Sequence, residues 1–399
     1  MQYRTVPKNG DRLSVLGFGT MRLHTRGMRI DEKRAIAQIH YAISNGVNYV
    51  DTAVPYRSEK VLGKALLGGY REKVKVATKL THSMINKSED MDKMLDMQLE
   101  ALQIDHVDYY LLHGLEEEGW KKLCDFKVLK FLDKAKDEGK IVNTGFSFHG
   151  ARTTFKQIID AYDWTMCQIQ YNFLDEDLQA GTEGLRYAAS KKLAIMAMEP
   201  LRGGTLAGKL PKEIARIYEQ SGFERSGAEW GLRWVWNHPE VTVALSGMND
   251  ESQITENVKT AETALPNSMT ANELATVDKV AASYRRLMKV PCTGCAYCMP
   301  CPQGVRIPNN FQMYNQYCMF GKKFMTRAMY AAMLMGLMNG KAADASLCKS
   351  CGQCAKRCPQ HINIPKELKS VKGTLGGWRT KLMIPLIKRM MPKSPLKND

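Results

Sequence analysis

Short β-rich apolar runs recur along the first three quarters of this chain, spaced by roughly thirty residues and separated by longer amphipathic stretches. The runs are Val15–Gly17, Val47–Asp51, Val74–Thr78, Val107–Leu112, Val142–Gly145, Cys167–Gln170, Ala194–Met198 and Val243–Leu245. Helical patterns such as Glu32–Ser44, Met91–Leu102, Leu123–Glu138 and Gly227–Trp236 lie between them. Parallel strands need crossovers of this length, so the alternation predicts an α/β fold with parallel pairing. Eight such units within residues 1–289 predict a closed (β/α)8 TIM barrel. An open doubly wound sheet is the alternative. It is weakened because Gly17-Phe-Gly19-Thr-Met-Arg lacks the third glycine of a dinucleotide fingerprint. A leading hairpin (Gln2–Val6 with Asp11–Val15) is expected to plug the barrel bottom. Thr270 and Glu273 read as the capping box of one further helix.

Charge and cysteine then change together. From Val290 onward there are 17 Lys and Arg against three acids (Asp344, Glu367, Asp399), leaving 40 basic and 38 acidic residues for positions 1–289. Nine of the eleven cysteines fall in the same stretch. This step predicts a second domain over 290–366, followed by a basic tail over 367–399. The net charge of +16 therefore belongs to one end and does not predict nucleic-acid binding. No apolar run reaches the ~18–20 residues of a membrane span. The N-terminus shows no apolar signal region, so a cytoplasmic protein is expected.

The cysteine spacing is specific. Cys292-x2-Cys295-x2-Cys298-x2-Cys301-Pro302 is followed by Cys348-x2-Cys351-x2-Cys354-x3-Cys358-Pro359. Short gaps let one loop bring three thiolates to three irons, while the cysteine before proline turns to the neighbouring cluster. Zinc competes, but its sites favour two C-x2-C pairs split by a longer loop. The spacing thus predicts two [4Fe–4S] cubane clusters, ligated by Cys292, Cys295, Cys298 and Cys358 and by Cys348, Cys351, Cys354 and Cys301. The 46 residues between Cys301 and Cys348 predict a small α-helical ferredoxin-like domain, with a Met-rich helical stretch at Phe311–Leu337.

Three ionisable residues close consecutive strands: Asp51 the second, Lys79 the third and His113 the fourth. The C-terminal ends of barrel strands converge, so these groups are expected to share one pocket, with Tyr56 five residues after the Asp. A tyrosine can act as a proton donor, with Lys79 expected to lower its pKa and Asp51 to hold Lys79.

Asp51-x4-Tyr56, Lys79 and His113 resemble the catalytic tetrad of the aldo-keto reductase superfamily. The likeness extends over residues 1–287 through Gly17-Phe-Gly19-Thr, Gly145-Phe-Ser147, Gln168, Glu199-Pro-Leu-Arg-Gly-Gly204 and Ser246-Gly-Met with Gln253, Glu256 and Asn257. With the cysteine runs, the chain resembles the ferredoxin-fused branch of that superfamily. The resemblance implies hydride transfer between NAD(P)H and a small carbonyl or alcohol, with Tyr56 protonating the alkoxide left by carbonyl reduction and His113 bonding the carbonyl oxygen. It implies that Ser147 and Gln168 anchor the carboxamide. Leu201, Arg202 and Gly203, with Ser246, Gly247, Gln253, Glu256 and Asn257, are implied along the pyrophosphate and adenosine. Phe148, Met198, Ser246-Gly247 and Gln253 depart from common family residues, and either NAD or NADP fits the sequence.

Two chemistries are thereby joined. Nicotinamide moves two electrons together and each cluster moves one, so a flavin, bound or on a partner flavoprotein, is implied between them. Ferredoxin or flavodoxin are the expected acidic partners of the basic end, and the tail is a candidate for membrane-surface contact. Carbonyl reduction with purely structural clusters, or electron transfer on a non-catalytic barrel, are the alternatives.

Overall fold

The computed structural model describes residues 1–26, 29–208, 210–292, 294, 297–321, 323–338, 340–358 and 360–390. The chain divides into two compact units, with the division between Asp278 and Lys279 inside the helix Ala271–Arg286.

In the first unit, strands β1 (Tyr3–Thr5) and β2 (Arg12–Ser14) form an antiparallel hairpin. Strand β3 (Leu16–Gly19) opens the barrel, and β4 (Thr25–Arg26) pairs with β5 (Arg29–Ile30) as a short ribbon. The remaining barrel strands are β6 (Tyr49–Asp51), β7 (Lys75–Thr81), β8 (Val107–Leu115), β9 (Ile141–Phe148), β10 (Met166–Gln170), β11 (Ala194–Met198) and β12 (Val241–Ser246). They close in sequence order, all parallel, with β12 returning to β3. Each of the eight runs expected from sequence is one of these strands. The barrel interior holds Tyr49, Ala77, Tyr109, Leu111, Met166, Met196, Val243 and Leu245, and Val6 and Leu13 of the hairpin belong to the same buried cluster. The hairpin thus plugs the barrel. Tyr49 and Tyr109 meet edge-on at 5.8 Å. Gly17 is the residue that fits beside them, since a Cβ there would lie 2.8 Å from both Leu245 and Val243.

In the second unit, helices Ile307–Phe320, Lys323–Met333 and Ile364–Leu375 carry the core, and a last helix, Trp378–Met390, follows them. Phe311, Tyr330, Leu334, Ile364, Leu368, Val371 and Leu375 are buried together. The Met-rich stretch is two helices, because Gly321 takes a left-handed conformation (φ 63°) and stops the first. Residues 367–375, read from sequence as the start of a tail, are packed helix. Pro385 sits inside the last helix without ending it. The capping box forms: Thr270 N donates to Glu273 Oε2 at 2.6 Å and Glu273 N to Thr270 Oγ1 at 3.3 Å.

Candidate active site and cluster-binding loops

Period-two alternation carries the barrel core into the site. Two residues beyond Tyr49, Ala77, Leu111, Met166 and Met196, on the same strand faces, come Asp51, Lys79, His113, Gln168 and Met198. Lys79 is fully buried, and its Nζ donates to Asp51 Oδ1 at 2.6 Å and to the Thr52 carbonyl at 2.8 Å. The same ammonium lies 5.1 Å from the centre of the Tyr56 ring. Tyr56 ends a single 3-10 turn, Val54–Tyr56, that follows β6, and its ring meets His113 edge-on at 5.8 Å. His113 Nδ1 is 3.1 Å from Thr81 Oγ1. The three strand-end residues and Tyr56 are therefore together.

Burial opposes the Lys79 charge, but Asp51 and then Tyr56 outweigh it and hold the ammonium above its ordinary pKa. Burial pushes the Asp51 carboxyl up against the pull of Lys79, and its Oδ2 is buried with no partner among the described residues. Tyr56 differs from expectation. Desolvation raises its phenol above the usual range, and Lys79 is the main opposing influence without reversing the shift. Burial, then Lys79, His149 and His82, hold His113 well below the ordinary imidazole range. Burial likewise depresses His149. Both rings are thus neutral when folded and bind a proton more readily when unfolded. Stability is then expected to fall as pH drops below about 6.5, by up to about 1.4 kcal/mol per pH unit for each ring. Denaturation midpoints between pH 7.5 and 5 measure this, and His113→Gln is expected to flatten the slope.

Ser147 and Gln168 are direct register partners on β9 and β10. Ser147 Oγ accepts from Gly114 N at 2.7 Å. Gln168 Nε2 faces Met198 Sδ at 3.7 Å, while its Oε1 is buried without a partner among the described residues. Ser246 Oγ accepts from Asn257 Nδ2 at 3.2 Å, Gln253 Oε1 accepts from Asn249 N at 3.2 Å, and Glu256 accepts from the Ser226 hydroxyl. Leu201 is buried, and Arg202 turns inward, its Nε 2.9 Å from the buried carboxylate of Asp175. Sequence reasoning missed Arg22. It pairs with Glu199 across the barrel mouth at 2.8 Å, and a Cβ on Gly203 or Gly247 would come within 3.0 or 3.3 Å of it. Behind the strands, Thr20, Thr52 and Ser58 share buried hydroxyl bonds at 2.8 and 2.9 Å, and Glu59 accepts from Thr78 and Gln98. A cavity of about 650 Å³ lies at the opposite end of the barrel, lined by Leu66–Gly69, Arg71–Lys75 and Gln103–His106, and contains none of the tetrad.

In the second unit, Cys292, Cys298, Cys301, Cys348, Cys354 and Cys358 pack against the helical core, and Cys351 is exposed. Cys295 lies outside the described residues. Burial raises the Cys354 thiol, and the neighbours that add to the rise are Cys301 and Cys348. A thiol of the first run thus acts on one of the second, and among the described residues no three metal-ligating side chains are gathered closely enough to hold an ion. Two asparagines of the helix Ile307–Phe320 staple the loops. Asn315 Oδ1 accepts from Lys289 N and Val290 N at 3.0 Å, and its Nδ2 donates to the Val290 carbonyl at 2.7 Å. Asn310 donates to the carbonyls of Arg306 and Ala343 and accepts from Tyr330, whose hydroxyl accepts from Ala345 N. Such buried networks fix a loop in one conformation. Ser350 N donates to Cys348 Sγ at 3.4 Å.

The Aldo/keto reductase family profile matches residues 15–281. The chain belongs to that family. A 4Fe-4S dicluster domain profile matches residues 291–362, so this aldo/keto reductase carries a C-terminal iron–sulfur domain. L-galactose dehydrogenase of Arabidopsis thaliana is 27% identical over 286 residues, covering 65% of this chain and 87% of that protein. The 9,11-endoperoxide prostaglandin H2 reductase of Trypanosoma cruzi (strain CL Brener) is 27% identical over 261 residues, covering 62% and 82%. The apo form of an aldo-keto reductase from Bacillus halodurans superposes with a TM-score of 0.58 at 26% identity, over 70% of this chain and 96% of that one. An aldo-keto reductase from Klebsiella pneumoniae in complex with NADPH shares the fold, with a TM-score of 0.57 at 21% identity over 70% and 95%.

Proposed function

We propose that the barrel interconverts small carbonyl compounds and alcohols with a nicotinamide dinucleotide, and that the second unit carries single electrons. The observation that carries the first half is Lys79, buried and held by Asp51 beside the Tyr56 ring. Tyr56 donates its hydroxyl proton to the carbonyl oxygen as that oxygen gains charge. Lys79 stabilises the phenolate left behind, and because Asp51 and the Thr52 carbonyl already fix the ammonium, no reorganisation is needed at that moment. With Thr81 donating to Nδ1, neutral His113 keeps its proton on Nε2 and offers it to the same oxygen. In the oxidative direction the phenolate takes the alcohol proton. The nicotinamide, when bound, supplies or accepts the hydride.

The residues fit such a cofactor. The unpartnered Gln168 Oε1 suits a carboxamide N–H, with Ser147 beside it. Arg22, next to Gly203 and Gly247, offers a cation where backbone can approach a pyrophosphate closely, and Leu201, Arg202, Ser246, Gln253, Glu256 and Asn257 complete the groove. The NADPH-bound Klebsiella relative and the dehydrogenase activity in the name of the Arabidopsis relative support this reading. Gln168→Leu is expected to weaken dinucleotide binding roughly tenfold, the worth of one hydrogen bond. A fluorescence titration measures it, and unchanged affinity would remove Gln168 from the site. The reading as a whole is tested anaerobically with NADH or NADPH and a panel of aldehydes and ketones. One alcohol is expected per nicotinamide oxidised.

For the second unit, we infer two [4Fe–4S] clusters, one on Cys292, Cys295, Cys298 and Cys358, the other on Cys348, Cys351, Cys354 and Cys301. The influence of Cys301, from the first run, on Cys354 of the second supports this exchange of ligands. Coupling to the barrel needs a flavin carrier to divide electron pairs, and an acidic ferredoxin, flavodoxin or flavoprotein suits the basic end. Anaerobic mixing with NADH and such a carrier is expected to bleach the cluster absorbance. Clusters that stay oxidised throughout leave a structural role.

A further inference from the structure

The two helices Lys323–Met333 and Trp378–Met390 pack against each other, yet both hold large apolar side chains in water. On the last helix Trp378, Leu382 and Leu386 are 67%, 72% and 51% exposed, and their four-residue spacing puts them on one face. Thr380 and Ile387 of the same helix are buried, so the exposed stripe is a distinct face and not fraying of the whole element. On its neighbour Phe324, Met325, Met329 and Met333 are exposed. Single exposed apolar residues are ordinary, but a run of seven on two packed helices asks for a covering surface.

The charges identify that surface. Arg379, Lys381, Lys388 and Arg389 flank the Trp–Leu–Leu stripe, and exposed Lys323 opens the other helix, whereas Arg327 is turned inward to the Tyr317 hydroxyl and the Thr374 carbonyl. Neither helix contains a carboxylate, and between Val290 and Met390 the acids are only Asp344, which is buried, and Glu367. An apolar stripe bordered by cations matches the boundary of an anionic bilayer, where acyl chains take the apolar groups and headgroups take Lys and Arg. A tryptophan at the stripe's end suits the headgroup level. A 13-residue helix spans only about 20 Å, and among the described residues no helix is long and apolar enough to cross a membrane. The element therefore lies in the surface plane. Pro385 is exposed and leaves the helix unbroken, so it does not interrupt the stripe.

We propose that this face docks the protein on anionic lipid membranes. The test uses the full-length cluster-loaded protein with vesicles of phosphatidylcholine alone or with phosphatidylglycerol. Co-sedimentation is expected with the anionic vesicles, to weaken as salt rises, and to be absent with phosphatidylcholine alone. Leu382→Glu with Leu386→Glu is expected to lower partitioning by at least ~10-fold while the visible cluster spectrum is retained. Should that variant fail to fold, wild-type protein still decides. The other five tryptophans lie between residues 120 and 236, so lipid with brominated acyl chains is expected to quench a component that Trp378→Phe abolishes. Several outcomes overturn the proposal: no binding to anionic vesicles at low salt, binding untouched by the leucine substitutions, or no quenching of Trp378. So does a dimer that the leucine variant dissociates, since it assigns the face to a second copy of this chain.

Discussion

Tyr56→Phe is expected to lower carbonyl reduction by about 10²–10⁴-fold, the usual span for a positioned acid. The substitution removes one oxygen and keeps the ring that packs edge-on against His113 at 5.8 Å. Dinucleotide affinity and thermal stability should therefore stay at the parent values, and only kcat should fall. Near-parent turnover in Tyr56→Phe would show that the proton comes from elsewhere.

Lys79→Met should be inactive for a related reason but behave differently on unfolding. It leaves the Asp51 carboxylate buried with neither of its oxygens hydrogen-bonded by a side chain. Breaking a buried pair from one side costs about 3–5 kcal/mol. Adding Asp51→Leu removes the stranded charge, so the double variant should regain much of the stability and none of the turnover. Denaturant midpoints against kcat separate the two roles. If the double variant is no more stable than Lys79→Met alone, the pair's coupling is not what holds this part of the barrel mouth.

How much of this could be read from the chain follows from the physics of each feature. Barrel strands are legible because each must bury one face in the core and cover the other with a helix, which imposes a repeating pattern on Val47–Asp51 or Ala194–Met198. The tetrad is legible because period two projects Asp51 and Lys79 from Tyr49 and Ala77. The upward shift of Tyr56 was not, since desolvation depends on what surrounds the ring and not on the identity of one neighbouring lysine. Arg22 was missed because its partner Glu199 is 177 residues away. Asn310 and Asn315 were hidden in a Met-rich helix, where polar residues read as surface until their loop partners are known. The sequence predicts only a basic tail where the last helix lies, because Pro385 and many cations mask a pattern that is apolar on only one side.

Ligand exchange between the two cysteine runs yields the second large effect. Cys301 belongs by sequence to the first run, yet its thiol acts on Cys354 together with Cys348. If ligands are exchanged, Cys301→Ala with Cys354→Ala removes two ligands from one cluster and none from the other. One [4Fe–4S] centre should be lost, leaving about four irons of the parent's eight or so. Cys301→Ala with Cys358→Ala instead takes one ligand from each, and both centres should be damaged, giving three-iron signals in the oxidised protein or no iron at all. If each run held its own cluster, the first pair would damage both centres and the second pair would do the same. Anaerobic iron and sulfide analysis with electron paramagnetic resonance distinguishes these patterns, and two zinc ions without sulfide in iron-replete protein would overturn the clusters altogether. Loss of a centre should also loosen the helices it braces, because metal-binding energy in so small a domain is folding energy. The far-ultraviolet helical signal is therefore expected to drop in step with iron content, while Lys79 and Asp51 hold their barrel geometry and carbonyl reduction by NAD(P)H survives.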